Sequence, residues 1–209
     1  MGSSRRQLRA TRDQLPAAPR RKAGCFRVRH LASGGNETIL LQMERTKTIR
    51  WSDPSAGAEA ARTLSGIEWL RAMSRRDAPP PPLADVLGFE LEQIEEGHVV
   101  VTLEPAEYHY NPMGVLHGGM AATLFDSSLG CAVQTMLPPA HAAPTMQLQV
   151  NYVRPITVKT GKVFCSGRVI HVGKRSATAE GRLTDSDGKL YAHATGTFIV
   201  TELDDKSAR

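Results

Sequence analysis

From Tyr108 to Val153, 46 consecutive residues, the chain carries one formal charge, the carboxylate of Asp126. A segment so poor in charge lies against protein rather than water. Its middle sets Met120, Ala121, Leu124, Phe125, Leu129, Cys131, Ala132, Val133 and Met136 close together, and at about 3.6 residues per turn these cover nearly every side of one helix. Such a helix has to be wrapped by other structure, not laid on a surface. A carboxylate kept within it, with no partner nearby in sequence, is costly unless it is paired or raised in pKa. Buried carboxylates of that kind are candidates for chemistry, so Asp126 is the first residue to follow.

The segments available for wrapping alternate with period two from Gly88 onward. Phe89 to Ile94, a polar turn at Glu95 to Gly97, and Val99 to Leu103 predict a β-hairpin. Beyond the helix, Met146 to Val153, Lys162 to Val172, Ala177 to Thr184 and Leu190 to Val200 predict further strands. The last two are joined through Ser186, Asp187 and Gly188, and Asp-Gly between apolar runs is a strong hairpin signal. Five or more long strands around one long helix make an α+β domain. Upstream, Asp53 before Pro54 reads as an N-cap with proline at the first helical position, and Ala60, Leu64, Ile67, Leu70 and Met73 mark one face of an extra N-terminal helix over 54–75. Pro79 to Pro82 end it and lead as a stiff linker into Leu83 to Leu87. That extra helix is free to cover a face or an edge of the sheet.

Charge separates the domain from what precedes it. Residues 1–50 hold 12 Lys or Arg against 3 Asp or Glu, while the rest hold 14 against 18, so the net charge of +5 belongs to the N-terminal arm. Residues 1–44, rich in Arg, Gly and Ser, are expected to form a basic, disordered extension, and residues 45–203 the folded domain. A solvated extension is favoured over a nucleic-acid tether or an organelle-targeting presequence. The mildly acidic body carries no electrostatic footprint for nucleic acid. Cys25, Cys131 and Cys165 suit neither a disulfide framework nor a zinc site, and His109, His141, His171 and His193 lack ligand spacing, so no metal and no cofactor are expected. There is no run of 18 apolar residues and no apolar stretch after Arg5, Arg6, Arg9 and Arg12, which predicts no membrane segment and a cytoplasmic location.

The wrapped helix opens on NPMGVLHGG, with Asp126 nine residues after His117; NYVRP and GKRSATAEG follow later. Together these resemble the PaaI-like acyl-CoA thioesterases of the hotdog fold, over roughly residues 45–200. The resemblance implies a curved antiparallel sheet wrapped around the central helix, and metal-free hydrolysis of an acyl-CoA to a free acid and CoA by a homodimer. It also implies that the Asn111 amide orients the water or the thioester, that the Thr145 hydroxyl binds the attacking water, and that nucleotide contacts fall near Lys174 and Arg175. Without the resemblance, Thr145 reads equally as a strand-start threonine and the two cations as solvated turn residues.

The helix start can be argued on its own terms. Gly118 and Gly119 offer N–H groups of the first turn, which have no intrahelical acceptor. They suit a developing oxyanion at the positive helix end, and without a Cβ a carbonyl can approach closely. The same pair also serves a tight turn or close helix–sheet packing. Asp126 lies eight residues beyond Gly118, which is ~12 Å along the helix and about 80° around it. One helix therefore cannot bring both groups to one thioester. A symmetry mate running antiparallel across a two-fold axis can, with two equivalent sites per dimer and a dimer of dimers left open.

Asp126 is assigned as general base on a water, or as the attacking group itself, with the Gly118 N–H holding the oxyanion. His117 is assigned a positioning role, since a positive helix end disfavours its protonated form. No G-x-S-x-G occurs, and Ser127 and Ser128 sit inside the helix. Two other readings remain: a hotdog hydratase or dehydratase, whose Asp and His follow a different local pattern, and a non-catalytic acyl-CoA sensor whose arm contacts DNA. The sensor needs a helix-turn-helix before residue 50, against Pro16, Pro19, Gly24, Gly34 and Gly35. Aromatic, short-chain and medium-chain acyl groups all fit the thioesterase reading.

Overall fold

The computed structural model describes residues 45–203, so the readings made for residues 1–44 lie outside the described residues. From Ile49 onward the described chain forms one unit. Three short helices, α1 (Ser55–Thr63), α2 (Gly66–Ser74) and α3 (Pro82–Leu87), precede the hairpin of β1 (Phe89–Glu95) and β2 (His98–Leu103). The long helix α4 (Gly118–Gln134) follows, then β3 (His141–Ala142), β4 (Thr145–Tyr152), β5 (Val163–Val172), β6 (Ser176–Asp185), β7 (Leu190–Ile199) and β8 (Thr201–Glu202). Six strands pair antiparallel in the order β1-β2-β5-β6-β7-β4, and β3 pairs with β8 separately.

Period-two alternation sends Val99, Val101 and Leu103 of β2, Val163 and Cys165 of β5, Ala177, Ala179 and Leu183 of β6, and Phe198 of β7 into the core. There they meet Leu124, Phe125, Leu129, Ala132 and Val133 of α4, all fully buried. Helix and sheet approach so closely at Gly167 that a Cβ there would lie 2.5 Å from the Ser128 carbonyl oxygen. Any side chain at 167 would push α4 off the sheet.

Two expectations are corrected. The single helix over 54–75 is two helices, because Leu64 is extended and Ser65 starts a new N-terminus whose backbone N–H donates to the Glu68 carboxylate at 3.0 Å. Ser65-x-x-Glu68 is a capping box inside an apolar period, and the cap overrides the period. Nor is Asp126 buried within the chain. The sheet leaves one stripe of α4 uncovered, running through Gly119, Ala122, Thr123, Asp126, Ser127 and Gly130, and Asp126 lies exposed on it. These six follow the spacing of one helix face and are small or polar, so no core was lost by leaving them bare.

The sheet's two edges differ. At β1, Arg71 Nη2 and Ser74 Oγ of α2 donate to the carbonyls of Ile94 and Leu91, at 3.3 and 3.2 Å. The extra helical segment thus covers one edge. At the other end β4 has β7 on one side and no strand of the described chain on the other. It contains no charged residue, and Met146 and Tyr152 are 66% and 57% exposed. Solitary edge strands are usually blunted by charge, proline, shortness or a bulge; β4 has only an irregularity near its start, between Thr145 and Gln147.

Candidate active site

The candidate residues fall into two groups, one at each end of β4. The first surrounds the start of α4. His117 is the N-cap, and its Nδ1 accepts the Gly119 N–H at 2.9 Å, which leaves Nε2 as the nitrogen that carries the ring's proton in this bond. A Cβ on Gly119 would lie 2.9 Å from that nitrogen, so the cap requires glycine there. The Gly119 N–H is therefore consumed by the cap. The Gly118 N–H, by contrast, has no acceptor among the described residues, so of the two donors expected at this helix end it is the one left for a ligand. The Gly118 carbonyl accepts the Tyr152 hydroxyl at 2.9 Å, and the phenol lies against the Gly118 Cα, where a Cβ would meet it at 3.3 Å.

Asn111 shapes the approach to this helix end. Its side-chain oxygen accepts the N–H groups of Met113 and Val115, at 2.9 and 3.4 Å, closing the loop before Leu116. The oxygen serves the loop, so the amide NH2 is what remains to reach a ligand. His109 is buried and structural: its Nε2 donates to the Leu87 carbonyl at 2.8 Å, its Nδ1 accepts from Ala106, and its own carbonyl accepts the His117 N–H. A cavity of about 420 Å³ adjoins Asn111, Gly118 and Tyr152.

The second group joins α4 to the start of β4. The Thr145 hydroxyl donates to Asp126 Oδ1 at 2.7 Å, across 19 residues of sequence. Thr145 stands at an irregularity in the β4–β7 register, between Thr145 and Gln147, and such bulges re-aim side chains. Lys174 and Arg175 are exposed in the β5–β6 turn. That turn lies at the Thr145 end of the sheet, since Thr145 is opposite Phe198 and Phe198 is opposite Ala177. Within one chain Gly118 and Asp126 stay apart, at ~12 Å along α4.

Asp126 and Thr145 also line a groove of about 810 Å³. Its opposite wall is Trp69 of α2 with Pro79 to Pro82, which had read only as a linker. Cys131 lies on its floor, and burial, then the Asp126 charge, pushes its thiol up to about 12. Iodoacetamide at pH 8 is expected to leave Cys131 of the native protein unmodified and to label it on unfolding, checked by peptide mass spectrometry. Tyr152 was missed in the sequence, although it stands within NYVRP. Nothing in the sequence marked it beyond that motif.

Among the described residues no group of three His, Cys, Asp or Glu is arranged to hold a metal, and no helix is long and apolar enough to cross a membrane. The thioesterase superfamily model matches residues 113–192, which span α4 and the strands around it. Human acyl-coenzyme A thioesterase 13 is 30% identical over 115 residues, 54% of this chain and 80% of that protein. The chain belongs to the thioesterase superfamily.

It is a thioester hydrolase of the hotdog fold. The 1,4-dihydroxy-2-naphthoyl-CoA hydrolase of Listeria monocytogenes is 27% identical over 118 residues, 56% of this chain and 94% of that one. A Streptococcus mutans protein solved with acetyl-CoA is 29% identical with a TM-score of 0.51, covering 56% of this chain and 91% of that one. The Escherichia coli PaaI protein shares the fold, with a TM-score of 0.56 at 22% identity over 68% of this chain and 97% of that one. The family match does not reach α1, α2 or the four prolines, so the groove's far wall lies outside the matched segment.

Proposed function

We propose that this thioesterase hydrolyses acyl-CoA esters as a homodimer, with each site built from both subunits. The observation that carries the reading is the placement of its two halves at opposite ends of one bare strand. Gly118 is tied to Tyr152 at the end of β4, and Asp126 to Thr145 at its beginning. If two copies pair β4 with β4 antiparallel, with the axis near Leu148 and Gln149, the end of one strand lies beside the beginning of the other. Gly118 of one subunit then approaches Asp126 of its partner, which no arrangement within one chain achieves. The blocked β1 edge leaves β4 as the strand available for pairing.

In this site Thr145 donates its proton to Asp126 and accepts a hydrogen bond from a water through its oxygen lone pairs. Asp126 takes a proton from that water as its oxygen bonds to the thioester carbon. The carbonyl oxygen becomes an anion facing the Gly118 N–H, aided by the positive end of α4. The intermediate then collapses, the carbon–sulfur bond breaks, and the CoA sulfur leaves with the proton held by Asp126. His117 acts through geometry: by occupying the Gly119 N–H it fixes the turn that presents Gly118.

Lys174 and Arg175 are proposed to meet phosphates of CoA, supported by their exposure at the Thr145 end of the sheet. A Lys174→Ala, Arg175→Ala double variant is expected to raise KM for acyl-CoA about threefold to tenfold at low salt with kcat unchanged, the difference shrinking as salt rises. Steady-state kinetics at two ionic strengths checks it. The reading as a whole is tested by thiol release from a panel of acyl-CoA esters, with subunit mass from analytical ultracentrifugation. Tight acyl-CoA binding without release of thiol from any ester would overturn it.

A further inference from the structure

We infer that the groove between α4 and the N-terminal segment is the acyl subsite, and that it selects an extended, uncharged, apolar acyl chain. This rests on the proposed function, because the groove matters only if the thioester carbon lies at Asp126. From there the groove follows α4 through Ser127, Gly130 and Cys131 to Gln134, a rise of ~12 Å. Its volume of about 810 Å³ falls within the range of about 300–1,000 Å³ that buries a ligand of drug size. A short acyl group would leave most of that space unfilled.

The chemistry of the wall sets the class of chain. Beyond Asp126 the lining carries no charged side chain. Four successive prolines remove four N–H donors from the wall and fix its backbone, so the surface is apolar and loses little freedom when a chain lies on it. Of the polar side chains in the lining, Gln134 donates its Nε2 to the His141 carbonyl at 2.9 Å and Thr145 donates to Asp126, while the buried indole N–H of Trp69 has no partner among the described residues. The lining thus has no cation for an acyl carboxylate. A second cavity of about 190 Å³ shares Met73, Pro80, Pro81, Ser127 and Cys131 with the groove; two charged residues line it, Arg76, which is paired with Asp85 at 3.1 Å, and Glu90. The wall is provided by a segment outside residues 113–192, the part that the family model matches.

The test compares kcat/KM for butyryl-, octanoyl-, decanoyl- and dodecanoyl-CoA in the full chain and in two variants that narrow the groove. Ala58→Trp acts from an exposed site on α1 and Ala143→Phe from the opposite wall. Each methylene buried is worth about fourfold at most, so the native chain is expected to favour decanoyl- over butyryl-CoA by at least about tenfold. Each variant is expected to lower that ratio about tenfold or more. A native preference for butyryl-CoA, or a ratio unchanged in both variants, overturns the inference while leaving the hydrolase reading intact. An Ala58→Trp protein that loses its dimer instead assigns the groove to a second copy and also overturns it. Absence of thiol release from every ester, including in the native chain, is a failure of the functional reading itself.

Discussion

Asp126→Asn is expected to keep the native fold and subunit mass and to lose at least about 100-fold in kcat on every acyl-CoA that the native protein hydrolyses. The substitution preserves shape, and the amide oxygen it introduces still accepts the Thr145 hydroxyl that now bonds Asp126 at 2.7 Å. What it removes is the capacity to take a proton from water. Asp126 is exposed on the bare stripe of α4 rather than packed in the chain's own core, so its replacement is expected to cost the subunit fold little, and the subunit mass separates lost rate from lost assembly. Thiol release followed with a chromogenic disulfide, beside a thermal melt, checks both halves. A loss of less than about tenfold would remove Asp126 from the role of base.

Gly118→Pro is expected to lower kcat about 100-fold to 1,000-fold, the usual effect of deleting one oxyanion donor. Proline deletes the N–H and is welcome at the first position of a helix. The residue before a proline must be extended, and His117 already is, at φ −60° and ψ 134°. The added ring meets Tyr152, a side chain that can turn aside. Proline thus keeps the backbone of the helix start while removing the donor, together with the open approach of a bare Cα and the present seat of Tyr152. The two variants together give a sharper result. If each site takes Gly118 from one subunit and Asp126 from the other, a mixed dimer of Asp126→Asn and Gly118→Pro holds one intact site. Co-expression is then expected to recover about a quarter of native activity from two inactive parents. Recovery of none, with mixed dimers present by mass spectrometry, would place both groups in one chain and sink the dimeric site.

The fold was largely legible because its signals are local. The run of α4, in which Asp126 is the one charge, the period-two strands and the Asp187-Gly188 turn each state their structure within a few residues. What escaped depends on partners distant in sequence. Composition averaged over α4 suggested a helix wrapped on all sides, yet the line Gly119, Ala122, Ser127, Gly130 was the sign of an uncovered face. Ser65-x-x-Glu68 was present as a helix start but lay inside a continuous apolar period. Asp126 stands out as a candidate by its isolation among apolar residues, whereas its bond to Thr145 crosses from helix to strand, and the family resemblance points to Thr145 only as a hydroxyl for the attacking water. That the Gly119 N–H is consumed by His117 depends on a ring orientation no pattern encodes. Pro79 to Pro82 read as punctuation because prolines usually are; only the packed chain shows them facing the groove floor.

The hydrogen bonds from Arg71 and Ser74 onto the β1 carbonyls bear on how far assembly can go. A sheet with two bare edges can recruit another copy at each, and every addition regenerates a sticky end, the route to filaments and precipitation. With β1 covered by α2, the six-stranded sheet of the described chain has one such end, and joining two of them about a two-fold axis would leave none. The N-terminal segment is then a stop signal for polymerisation, and a chain trimmed back to its family core would be expected to regain the second end and lose solubility.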